Sequence, residues 1–116
     1  MIRVVISSSQ DGADRSFSIT GHSGYAPEGS DILCAAISVL GQTAIASLQS
    51  LTELDIRYEI DERKPSLRCA VKLPEDPDDP QYITASVLLD AFAIGCRHTA
   101  AAYGRQYIRI SKKVIQ

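Results

Sequence analysis

A chain of 116 residues with a formal net charge of −2, 45% apolar and 22% charged residues has the make-up of one ordinary globular domain spanning 1–116. The acidic balance, with a pI near 5.6, argues against a surface that tracks phosphates, so nucleic acid is not expected as the main partner. The N-terminus lacks a signal-peptide pattern, no window approaches about 18 uninterrupted apolar residues, and three irregularly spaced cysteines make neither a disulfide framework nor a zinc site. A reduced, cytoplasmic protein with no membrane partner, no metal and no other cofactor is the expectation.

In chain order, "IRVVISSS" and "RSFSIT" are β-branched runs joined by "QDGAD", whose Asp11-Gly12 pair predicts a hairpin turn. From Ser30 or Asp31 to about Glu53 no proline intervenes, and Leu33, Ile37, Leu40, Ala44, Leu48 and Leu51 recur at helical spacing. The first half of that helix is apolar almost all round, which predicts burial on more than one side. "DIRYEID" and "LRCAVKL" alternate apolar and polar positions about an "ERKPS" turn and predict a second hairpin. After the acidic loop "PEDPDDP", residues 81–103 predict a second helix stopped at Gly104, and "QYIRISKKV" predicts a closing strand. Strand, strand, helix, strand, strand, helix, strand defines an α+β two-layer sandwich, two helices on a mixed or antiparallel sheet.

The connection between the second strand and the first helix carries the chemistry. It is longer than the about two to six residues usual for such a link, and Gly24, Gly29 and Pro27 mix freedom with stiffness, as suits a loop that folds over a ligand or one that is merely irregular. With Ser30 or Asp31 as N-cap, Cys34 falls in the first helical turn, where the dipole favours a thiolate; the plain alternative is a small apolar side chain among Leu33, Ala35 and Ile37. His22 stands at the strand end that the chain leaves to reach the same helix terminus. There it could serve as base to the thiol and later as acid to a leaving amine, or be a solvated turn residue. Asp31 could orient the imidazole or serve only as a cap. Cys69 and Cys96 sit on apolar faces and are read as core, and His98 as a capping or surface residue near a helix end.

The stretch "GHSGYAPEGSDILCAAIS", residues 21–38, resembles the signature of the ribosomal-processing cysteine protease family, Prp, through Gly21-His22, Tyr25-Ala26, Gly29, Asp31-Ile32, Cys34-Ala35-Ala36 and Ser38. The resemblance implies a cytoplasmic endopeptidase, usually a homodimer, that removes an N-terminal extension from a large-subunit ribosomal protein, the one numbered twenty-seven. It makes Cys34 the nucleophile, His22 the general base and Asp31 a supporting acid. Ser23, Gly24, Tyr25, Ala26, Pro27, Glu28, Gly29 and Ser30 become a loop that covers the substrate, with Ser23 departing from the alanine expected there. Two other readings stand beside it: a redox-sensing thiol protein built on Cys34, and a ribosome-associated binding module without chemistry.

Overall fold

The structure, a computed structural model, describes residues 1–22, 32–61, 63 and 66–115. Its elements are β1 (Ile2–Ser9), β2 (Asp14–Thr20), α1 (Ile32–Leu51), β3 (Ile56–Asp61), β4 (Ser66–Lys72), α2 (Pro80–Tyr103) and β5 (Ile108–Ile115). The strands form one mixed sheet in the order β3-β4-β2-β1-β5, with β5 parallel to β1 and the remaining pairs antiparallel. The two-layer α+β arrangement expected from the element order is the one observed. The turn at "ERKPS" falls partly outside the described residues.

Alternation in the strands builds the sheet side of the core. Ile2 and Val4 of β1, Phe17 and Ile19 of β2, and Leu67, Cys69 and Val71 of β4 are buried. The register sets them in rows across the sheet: Val4 lies opposite Ile19, Ile19 opposite Leu67, and Leu67 opposite Ile60 of β3. The first hairpin turns where Asp11-Gly12 predicts. Gly12 adopts φ 76°, and the Asp11 carboxylate accepts from Ser9 Oγ at 2.6 Å and from the Ala13 N–H at 3.0 Å. Those two hydrogen bonds hold the Asp11 carboxyl below its usual pKa, the Ser9 hydroxyl contributing most.

The helices supply the other side. Leu33, Ile37, Ala44, Ile45 and Leu48 of α1 and Ala85, Leu89, Phe92, Cys96 and Ala100 of α2 are buried in the same core, where full burial of an isoleucine or leucine is worth about 1.5–3 kcal/mol. Phe92 stacks on Phe17 with ring centroids 4.1 Å apart and so ties α2 to the middle of the sheet. α2 begins one residue earlier than the periodicity predicts, because Asp79 is an N-cap whose side chain accepts from the Gln81 N–H at 2.8 Å, with Pro80 at the first helical position. It ends at Gly104, as expected, with φ 120°.

The first half of α1 is covered on more than one side, by the sheet and by α2, but not all round. Ile32 and Val39 are 67% and 60% exposed in the single chain, since the sheet lies under one side of the helix and α2 beside another, leaving an outer apolar stripe uncovered. α1 also has the length and the apolar character, with mean hydropathy 1.6, of a membrane-crossing helix, yet here its inner face packs on the sheet as a core helix.

Gly41 decides how closely α1 approaches that sheet. A Cβ there would stand 2.7 Å from Ile19 Cδ1 and 3.3 Å from both Leu67 δ-methyls, so the helix backbone rests directly on the Ile19 and Leu67 side chains of β2 and β4. Gly41→Val should destabilise the fold by about 1–3 kcal/mol, the usual cost of overpacking a filled core, and lower Tm in proportion. A thermal melt unchanged from the parent would show that the contact is slack.

Candidate active site

β2 ends at Thr20, and the chain leaves it through Gly21, whose φ of 88° lies in the left-handed region. A Cβ at Gly21 would also stand 2.5 Å from the Met1 carbonyl oxygen, so both conformation and space require glycine. His22, the next residue, is half-buried. Cys34 is the third residue of α1 and also half-buried, and its Sγ donates to the Gly21 carbonyl oxygen at 3.9 Å, a weak thiol hydrogen bond. The first turn of α1 is thereby pinned to the end of β2, beside the residue that precedes His22. Asp31 and the loop residues 23–30 lie outside the described residues.

The thiol opens into a cleft of about 280 Å³ between α1 and the sheet. Ile19 and Leu67 form its floor, Ser38 and Gln42 continue the helical wall one and two turns beyond Cys34, and Ile60 and Asp61 of β3 stand opposite. Gln42 Nε2 donates to Ser38 Oγ at 3.1 Å, which orients that wall. The β3 residues are the part of the cleft that the sequence does not reveal. Their alternation marks a strand, but nothing in it says that β3 would lie at the sheet edge next to β4 on the cysteine's side. Ile60 is 45% exposed and offers an apolar surface to an incoming chain.

The other two thiols have a different environment. Cys69 and Cys96 are 2% and 0% exposed, and burial raises their pKa from 9.0 to about 11 and about 12. The reading of both as core residues agrees with this. Among the described residues no group of three His, Cys, Asp or Glu gathers as a metal site would require.

A helix-borne, half-exposed cysteine facing a cleft, with a histidine at the adjoining strand end, has the parts of a thiol peptidase. The chain belongs to the family of cysteine protease Prp, whose model matches residues 1–109, and it is a cysteine-type peptidase. Its fold is similar to that of the ribosomal processing protease Prp from S. aureus in complex with a covalently linked product peptide: TM-score 0.80 and 20% identity over 97% of this chain and 100% of that one. The same protease with a substrate peptide gives a TM-score of 0.76 and 19% identity over 97% and 100% of the two chains. SMU.848 from Streptococcus mutans gives 0.74 and 23% over 99% and 96%. No protein of curated description matches the chain.

Two expectations follow from this geometry. At neutral pH a small alkylating reagent should label one thiol per folded chain, Cys34, and three after denaturation; mass spectrometry of the digest reads this directly, and labelling of Cys69 or Cys96 at the rate of Cys34 would contradict their burial. Because the folded pKa of Cys69 and Cys96 lies above the ordinary 9.0, their contribution to stability is complete below pH 9 and lost as pH rises toward 11 and 12. Urea midpoints of the parent should therefore fall over that window more than those of a Cys69→Ala, Cys96→Ala double variant.

Proposed function

We propose that the chain cleaves the N-terminal extension from a large-subunit ribosomal protein, the one numbered twenty-seven, by thiolate attack from Cys34 with His22 as general base. The observation that carries this reading is the contact of Cys34 Sγ with the Gly21 carbonyl, which brings the first turn of α1 to the residue beside His22. In the first turn the backbone N–H groups have no intrahelical acceptor and the helix dipole is positive, and both favour a thiolate. The thiolate attacks the scissile carbonyl, the C–N bond breaks as His22 returns the proton to the leaving amine, and water then attacks the thioester, releasing the carboxylate and regenerating Cys34.

The substrate assignment draws on family membership and on the printed identity of the S. aureus protein as a ribosomal processing protease. It also suits the cleft, whose apolar floor and Ile60 accept an extended apolar segment. A homodimer belongs to the same proposal. Ile83 and Val87, exposed one turn apart on α2 and outside the cleft that Ile94 lines, are supported as its apolar surface by their spacing on one side of the helix. Burial of Cys69 and Cys96 weighs against the redox-sensor reading, since neither offers an accessible resolving thiol.

Incubation with the extended ribosomal protein, followed by intact-mass spectrometry, tests the proposal. The parent should release one N-terminal peptide, Cys34→Ala should lose more than about 10³-fold in rate with an unchanged melt, and His22→Ala about 10²–10⁴-fold. Cleavage at the parental rate by folded Cys34→Ala would end the assignment of the nucleophile.

A further inference from the structure

The acidic balance of the whole chain conceals a segregation of charge. Residues 91–116 contain Arg97, Arg105, Arg109, Lys112 and Lys113 and no aspartate or glutamate, while all 14 acids lie in residues 1–90. The fold gathers these cations at one place. Two adjoining clefts of about 460 and 480 Å³ run between α2 and β5 and share Arg97 and Lys112 in their walls. Arg105 and Arg109 line the first and Lys113 the second. Asp90 is the one acid among their described lining residues, and Arg15 Nη2 holds it at 3.1 Å. Ile94 and Val114, 60% and 64% exposed, give the same groove an apolar wall.

We propose that this groove binds the phosphodiester backbone of RNA. It is elongated and open, following a strand of eight residues, about 27 Å, so it fits a continuous polyanion better than a compact anion. Three of the five cations are arginines, whose planar fork suits phosphate oxygens, and the apolar wall accepts unstacked bases without reading them. β5 and β3 are opposite edges of the sheet, so RNA in the groove leaves the Cys34 cleft clear. The choice of RNA over DNA rests on the proposed ribosomal substrate; the anionic strand rests on the groove alone.

Fluorescence anisotropy of a labelled single-stranded RNA of about 20 nucleotides, titrated with the full chain over a range of salt, tests this. Micromolar binding is expected at about 0.1 M salt. Four phosphate contacts at about 0.7 each predict a slope of log affinity on log salt near −3. Arg97→Gln with Arg109→Gln should weaken binding at least about tenfold and bring the slope up by about 1.4, whereas Arg97→Lys with Arg109→Lys should keep the slope and Arg63→Gln, between β3 and β4 at the opposite edge of the sheet, should change neither. Parental affinity and slope in the glutamine pair would overturn the site and leave the cations as guards of an open edge strand. Equal loss in Arg63→Gln, or displacement of RNA by polyglutamate of matched charge as effectively as by RNA itself, would overturn it too. DNA binding as tightly as RNA is what a backbone contact gives and upholds the groove; DNA preferred tenfold or more would overturn RNA as the ligand. No peptidase substrate is present, so a chain that binds RNA but fails to cleave the ribosomal protein loses only the proposed function, and the converse holds.

Discussion

A missing side chain at Gly41 sets the distance between α1 and the sheet, and the candidate site depends on that distance. Cys34 and Gly41 are seven residues apart, two turns less about 20°, so both face the same way along the helix. With nothing between Gly41 and the Ile19 and Leu67 side chains, the helix lies low enough over β2 and β4 for the thiol at its start to touch the Gly21 carbonyl at the end of β2. Gly21 completes the arrangement at the other end. Its positive φ and its close passage by Met1 turn the chain off the strand just where His22 follows. Two glycines, neither carrying chemistry, thus determine whether a cysteine and a histidine 12 residues apart share one corner of the molecule.

The same layering accounts for what is left uncovered. The two helices cover the five-stranded sheet without sealing the strands at its two edges, β3 and β5. On β3 Tyr58 is 51% exposed and Ile60, 45% exposed, borders the thiol cleft; on β5 Val114, with Lys112 and Lys113, lies along the basic groove. An open edge strand invites pairing with another chain, and both edges carry charges that oppose it: Arg57, Glu59 and Asp61 on β3, Arg109, Lys112 and Lys113 on β5.

Much of this was legible in the sequence because local rules govern it. Asp11-Gly12 specifies a turn whatever lies around it, Gly104 ends α2, and the alternation of Leu67, Cys69 and Val71 marks a half-buried strand. The motif around Cys34 and His22 was visible for the same reason, since the two residues flank one loop. Strand order was not legible, because pairing β2 with β4 and β1 with β5 is decided by contacts between distant segments that leave no local trace. That is why Ile60 and Asp61 of the cleft, and the meeting of α2 with β5 that forms the basic groove, appear only in three dimensions. The exposure of Ile32 and Val39 has a related cause: apolar periodicity reports what a helix is able to bury, and the single chain supplies cover for only part of it.

The three cysteines show how far residue type falls short of function. Cys69 on a central strand and Cys96 inside a helix are buried in the core, and loss of water pushes their thiols up to about 11 and about 12. A protonated, enclosed sulfur is a poor nucleophile, so these positions could be occupied by other small apolar side chains with a change in packing and none in chemistry. Cys34 differs in two respects that the backbone supplies. It sits in the first turn of a helix, where the unpaired N–H groups gather, and it borders a cleft open to a peptide. The fold therefore separates one reactive thiol from two inert ones by placement, and the glycine at position 41, by letting α1 settle on the sheet, is the residue on which that placement turns.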